Sequence, residues 1–378
     1  TASASSLTLG GTLSGAAASS TVRLGAGTGG IEQTGGQIGA GTLIVTSGGD
    51  ALLDGSATPN VLASLGESSA AGTFLLDNGS SNLVTTGDVT AARIGLRTGG
   101  TVTVRSDLTA TESISFLANG LSVPAPTTTG PVFIPGGTVT APLVEAAPRD
   151  ARNFVLGGTA VQADVLSLNP TSIARITADT LRLGAARLRG DPVTTATNIR
   201  FAESLAASNA LILQSLGNIA QDAGTTLSAA SLSGSAGGTA TLANAGNVLP
   251  VLGGFSAGTA LTLGTDGSLA ITGAVGSPAV RLTAGGAITE TGAGRIGGGS
   301  LALQTPGSAT LLGANTITSL AASSTGGDLR LANSGALLTV PAGSLVRAGG
   351  ALEIAQAGDL TVNGTVSGAS TSLSSPSE

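Results

Sequence analysis

The stretch that decides the fold runs from Val280 to Val362. It opens V-R-L-T-A-G-G-A-I-T-E-T-G at 280–292. It continues through Leu301-Ala302-Leu303, Ala309-Thr310-Leu311-Leu312, Leu329-Arg330-Leu331-Ala332-Asn333, Leu352-Glu353-Ile354 and Leu360-Thr361-Val362. In each triplet two apolar residues flank one that points the other way, and a Gly, Ala or Asn turn closes it. Such alternation is the period-2 pattern of a half-buried strand. The triplets at Val280, Leu301, Leu329 and Leu352 start 21, 28 and 23 residues apart. Recurrence in the twenties is the spacing of a solenoid, in which one short unit stacks on the next.

The same stretch occurs earlier. Leu211–Leu213, Ile219, 240–242, Leu261–Leu263 and Leu269 match Val280–Leu282, Ile288, 309–311, Leu329–Leu331 and Leu337 at offsets of 69, 69, 69, 68 and 68. A further copy begins at Val22: Val22–Leu24, Ile31, Ala51–Leu53, Phe74–Leu76 and Leu83 precede the Leu211 copy by 189, 188, 189, 187 and 186 residues. The spacing reads as one module of about three rungs, each of roughly 22 residues, used at least three times. Between rungs stand Gly-Gly pairs at 29–30, 35–36, 48–49 and 99–100, where a coil must turn a corner. Duplication of this kind builds length, and it seldom builds a pocket.

Composition narrows the function further. The chain of 378 residues has no His, Cys, Met, Trp or Tyr, and its fifteen basic residues are all Arg. Without His or Cys, most metal sites and most nucleophile–base pairs lack their raw material. No cofactor or metal is expected, and the chain does not read as an enzyme. A net charge of −6 argues against nucleic acid as a partner, because phosphate demands clustered positive charge. Mean hydropathy is positive, yet no apolar run approaches the roughly 18 residues of a membrane helix. The absence of Cys rules out a disulfide framework and suits a protein that crosses an outer membrane unfolded.

Carboxylates are the only catalytic raw material. Asp50 and Asp54 flank a predicted strand, and Glu32, Asp222 and Glu290 recur near equivalent turns of the three copies. A position repeated in each copy is more simply a turn residue than one of a convergent catalytic pair. The calcium-binding G-G-x-G-x-D nonapeptide is not found; Gly48-Gly49-Asp50 is an isolated fragment of it.

Two segments depart from the rung pattern. Leu121 to Arg152 holds six of the fourteen prolines. Proline cannot donate to a strand ladder, so the stretch reads as an excursion from the coil or a joint, with a short β segment at Val132-Phe133-Ile134. The expected organisation is solenoid over 1–120, excursion or joint over 121–152, and solenoid over 153–378, continuous overall. Arg149 to Arg200 holds seven Arg against four Asp. It is either a solvated strand face, with Arg outward as in Leu181-Arg182-Leu183, or a contact surface. The candidate contact residues are Arg175, Arg182, Arg187, Arg189 and Arg200, and the matching partners are a sister chain or an acidic surface glycan.

Ser6 to Ala17, S-L-T-L-G-G-T-L-S-G-A-A, and Asp359 to Ser370, D-L-T-V-N-G-T-V-S-G-A-S, are identical at seven of twelve positions. Neither end carries an amphipathic or charged cap. An open solenoid edge pairs with another chain, which leaves two readings: a piece of a longer array, or a subunit that stacks head to tail into a fibre.

The alternation L-x-L…G-x-I…G…L-x-L, with Asn-Val-Leu at 60–62 and again at 247–249, resembles the repeat region of filamentous-haemagglutinin-like bacterial exoproteins of the two-partner secretion type. Autotransporter passengers look similar. The resemblance covers most of the chain outside roughly 121–200. It implies an all-β fold, the right-handed parallel β-helix, together with export through an outer-membrane barrel, a place on the bacterial surface or outside the cell, and a role in adhesion. The N-P-N-G motif of that family's secretion domain is not matched; the nearest segment is Asn169-Pro170-Thr171.

Overall fold

The alternation resolves, in the computed structural model, into short parallel strands stacked coil upon coil: the chain is an all-β parallel β-solenoid. The structure describes residues 5–15, 19–54, 58–129, 132–157, 165–190, 193–207 and 209–375. Its contacts group into two compact units, 1–199 and 200–378.

In the second unit the columns of the core can be followed residue by residue. Ile219 pairs with Ala240, then Leu261, Val280, Leu301 and Leu320 in turn. A second column runs Leu269, Ile288, Ala309, Leu329, Leu352. A third carries Phe255, Val275 and Ile296. Each is an inward position, and apart from Val280, Leu352, Phe255 and Val275 at a few per cent or less, these residues are fully buried. Burying one such aliphatic side chain contributes about 1.5–3 kcal/mol, and each strand also gives its backbone hydrogen bonds to the coils above and below.

These columns correct the spacing read from sequence. Val280 and Leu301 share one column, but Leu329 and Leu352 belong to another, so the 28-residue interval between Leu301 and Leu329 is a step onto a different face. Neighbouring residues in a column, such as Leu269, Ile288, Ala309, Leu329 and Leu352, are 19, 21, 20 and 23 residues apart. The three coils from Ile219 to Val280 therefore take 61 residues, whereas Leu211 and its copy Val280 lie 69 apart. The module overshoots three coils, and each copy restarts displaced around the coil.

The first unit follows the same plan. Leu7, Ile31, Ala51, Phe74, Ile94, Ile114, Val144 and Leu181 form one column. The narrow core also takes aromatics: Phe74, Phe116, Phe154, Phe201 and Phe255 are all buried. Small neighbours make the room: Phe74 stacks on Ala51, Phe116 on Ala146, and Phe255 on Gly234. Gly234 has φ +148, and a Cβ there would stand 1.9 Å from the Leu213 carbonyl oxygen, so only glycine fits.

The coil continues beneath the Pro-rich stretch. Leu108 pairs with Val139 and Ile114 with Val144, so the intervening chain is an excursion between successive coils and not a joint. It carries an antiparallel hairpin of Thr127–Thr129 with Val132–Ile134, which includes the expected β segment. Pro131 lies outside the described residues. Asn169-Pro170-Thr171 opens the short helix Pro170–Ile173: the Asn169 side chain accepts from the Ser172 N–H at 2.7 Å, an ordinary N-cap.

The Gly-Gly corners have a second function. The residue after the corner glycine, paired as at 48–49 and 326–327 or single as at Gly217 and Gly307, often caps the next coil. Asp50 Oδ1 accepts from the Thr73 N–H, Asn218 Oδ1 from Thr239, Ser308 Oγ from Asp328 and Asp328 Oδ1 from Ala351, at 2.7–3.0 Å. Gly48-Gly49-Asp50 thus caps the backbone of the next coil. Asp328→Ala is expected to cost about 1 kcal/mol, checked by the urea midpoint and by faster amide exchange at Ala351.

Two amide pairs lie at coil corners. Asn60 and Gln33 bond reciprocally, at 2.9 and 3.0 Å. Asn247 and Gln221 do the same, at 2.7 and 3.0 Å. Asn60 and Asn247 are the asparagines of the two Asn-Val-Leu segments, and both are buried. Their recurrence has a structural cause, because each also accepts a backbone N–H from inside the coil, Ile38 or Leu227, at 2.8 Å.

Candidate functional site

The arginine-rich segment folds back as a strap over one face of the first unit. Its anchor is Glu145, which follows Ser115 and precedes Arg182 in one outward-facing column. Such a position faces solvent in an uncovered coil. Here residues 184–190 cross it, and Glu145 is fully buried. The Ser115 hydroxyl and the Arg187 backbone N–H donate to Glu145 Oε2, each at 2.7 Å, and the Arg182 guanidinium bonds Oε1. Leu188 lies over Gly95, the next member of that column, and Leu75 beneath is buried although it points outward.

The strap reaches further back along the unit. Arg189 donates from both Nε and a terminal nitrogen to the two carboxylate oxygens of Asp54. That fork holds the guanidinium pKa above its usual value; the Asp54 hydrogen bonds contribute most, partial burial opposes, and the charges of Asp54, Glu32 and Asp50 add to the rise. A basic strap thus lies on an acidic face.

The five candidate contact residues do not form one surface. Arg182 is largely covered, contrary to the solvated strand face expected of Leu181-Arg182-Leu183, because the strap closes over it. Arg175 gives its guanidinium to the carbonyls of Gly137 and Gly136 at 2.6 and 3.3 Å, tying down the end of the Pro-rich excursion. Arg189 is engaged with Asp54. Arg200 belongs to the second unit and forks onto Asp222 at 2.8 and 2.6 Å. Those hydrogen bonds hold the Asp222 carboxyl below its usual range and the Arg200 guanidinium above its own. Arg187, Arg189 and Arg200 are all exposed, but among the described residues Arg187 is the one of the three without an ion pair, and its backbone N–H is fixed on Glu145. Two aspartates of the segment, Asp164 and Asp191, lie outside the described residues.

Between strap and coil lies a cleft of about 410 Å³, lined among others by Asp50, Thr73, Arg93, Ser113, Ser115 and Arg187. Its polarity suits a hydroxylated or anionic ligand. It offers no nucleophile–base pair: Asp50 is occupied with the Thr73 N–H and Arg93 with Glu112 at 2.6 Å. Among the described residues no cluster of three or more metal-ligating side chains occurs.

The recurring acids also separate. Glu32 is exposed on its strand, Asp222 pairs with Arg200, and Glu290 turns toward a buried asparagine. The true equivalents are Gln33, Gln221 and Glu290, one residue off the expected set at the first two copies. In a strand a shift of one residue exchanges the two faces. The strap itself was hidden from sequence reasoning, because nothing local says that Arg189 meets a carboxylate 135 residues away.

Glu145→Gln keeps the shape of the anchor but removes its charge from Arg182. The expected cost is about 1–2 kcal/mol, with new protease cleavage within 184–190 and coils elsewhere unaffected.

The fold and this site define a β-solenoid with a strapped lateral face. No protein-family model, curated protein or solved structure matches the chain.

Proposed function

We propose that the chain is an extracellular, non-catalytic β-solenoid of a bacterial surface, an adhesin or stalk of the filamentous-haemagglutinin-like kind. The observation that carries this reading is the use made of the charged side chains. Asp50, Asp54, Glu145 and Asp222 are each committed to a backbone N–H, the strap or an arginine, so the carboxylates serve the scaffold. Rigid coils with small polar outward residues suit a spacer or an adhesive surface. The Cys-free composition suits export in an unfolded state.

Protease treatment of intact cells is the direct test. The expected result is loss of the chain from cells whose cytoplasmic proteins stay intact; protection from the protease contradicts the proposal. Negative-stain images of the purified chain separate a stalk from the alternative, a subunit that stacks into long uniform filaments. Release of reducing ends from a polysaccharide would instead favour a glycan-cleaving protein.

The cleft supplies a narrower expectation. If an acidic glycan is the ligand, Arg187→Ser lowers binding to an immobilised uronic-acid polymer severalfold, and added salt does the same. Unchanged binding removes Arg187 from any contact surface.

A further inference from the structure

One polar clamp recurs at three equivalent places among the described residues, the last time with a carboxyl group in place of an amide. Gln33, Gln221 and Glu290 are equivalent, as are Asn60, Asn247 and Asn315, and Ile38, Leu227 and Ile296. In every copy the asparagine Oδ1 accepts from the backbone N–H of the third residue, at 2.8, 2.8 and 2.6 Å. In every copy the asparagine Nδ2 donates to the side-chain oxygen of the first, at 3.0 Å.

The difference lies in the return bond. Gln33 Nε2 donates to Asn60 Oδ1 and to the Gly36 carbonyl, at 2.9 and 3.4 Å. Gln221 Nε2 donates to Asn247 Oδ1 and the Thr225 carbonyl, at 2.7 and 2.9 Å. Two hydrogens meet two acceptors. Gly294 holds the place of Gly36 and Thr225 in the third copy. There Glu290 Oε2 accepts from Asn315 Nδ2 and from the Gly313 N–H at 2.7 Å, while Oε1 is buried without any partner. An ionised carboxylate has no hydrogen to offer the acceptors that the amide serves elsewhere.

We propose that Glu290 is a proton-operated clamp: in its acid form Oε1–H restores the return bond to the corner of the coil, and ionisation opens it. A carboxylic acid facing a carboxamide makes the same two-bond ring as two carboxamides, with one hydrogen in place of two. No charge competes for the group. The strands packed against Ile288–Glu290 are Leu269–Ile271 and Ala309–Leu320, and neither contains a charged residue. The nearest charged residue along the chain, Arg295, is exposed. Burial raises the carboxyl pKa above its usual 4.5, against the smaller lowering by the Asn315 and Gly313 hydrogen bonds. A pKa raised on folding means that the folded coil holds the proton more tightly than the unfolded chain. The added stability is therefore fully present below about 4.5 and is lost as pH rises through the folded value.

The test is amide exchange at Ile296 and Gly313 in the whole chain, corrected for intrinsic rates, between pH 4.5 and 8, for the native protein and Glu290→Gln. The native protein is expected to lose protection as pH rises. Glu290→Gln should be flat with pH, and at pH 7 clearly better protected at Ile296 than the native protein. The reciprocal Gln221→Glu should bring the same pH dependence to Leu227. A direct carboxyl titration of Glu290 by carbon NMR is expected to have its midpoint above the ordinary range. A midpoint at or below that range, or equal protection of native protein and Glu290→Gln at pH 7, overturns the proposal.

Discussion

Asn247→Leu is expected to destabilise its coil by about 3–5 kcal/mol, although leucine is the more apolar residue and the site is fully buried. The amide satisfies the Leu227 N–H, both ends of the Gln221 side chain, and the carbonyls of Leu242 and Gly264. A leucine leaves all of them without that partner in a place water does not reach, and the cost of stranded polar groups exceeds the gain from a larger apolar side chain. The measurement is the urea midpoint together with exchange at the Leu227 amide, which should lose most of its protection. A change near zero would mean that the asparagine merely fills space. Asn60→Leu tests the same point at Gln33 in the first unit.

Leu303→Asp is expected to cost about 4 kcal/mol or more. Leu303 is 2% exposed and stacks on Leu282, while its N–H bonds to Ser323 Oγ. The cations of these strands, Arg281 and Arg295, are exposed on the outer side and do not reach a carboxylate buried beneath them. Because each coil contacts mainly its neighbours, the damage should fall first on 280–284 and 320–325 and spread from there. Leu303→Met, which keeps volume, should cost less than about 1.5 kcal/mol. Hydrogen exchange mapped along the chain reads both outcomes.

The fold was legible in the sequence because a strand's period of two leaves a visible trace even in a chain this rich in Gly and Ala. Triplets such as Leu329-Arg330-Leu331 are strands in the positions their pattern names. The number of residues per coil was less legible. Leu301 and Leu329 look alike in sequence, yet they occupy different faces, and alternation alone cannot say which face a triplet joins. Asn60 and Asn247 stood out as repeated words, but their role as clamps depends on Gln33 and Gln221, each on the preceding coil. The strap was least legible. Its arginines carry no periodic signal, and the carboxylates that hold them, Asp54 and Glu145, are brought near only when several coils have stacked.

Successive coils run parallel, with the register Arg281 to Ala302 and Arg330 to Glu353. The absence of native cysteine allows a direct measurement. Paired substitutions Arg281→Cys with Ala302→Cys, and Arg330→Cys with Glu353→Cys, place thiols on adjacent strands about 4.8 Å apart, within the range a disulfide spans. Mild oxidation at low protein concentration should close an intramolecular disulfide in each pair, found by mass spectrometry of the digested chain. Failure of both pairs, with Arg330→Cys instead linking to a residue placed by an antiparallel pairing, would contradict the account.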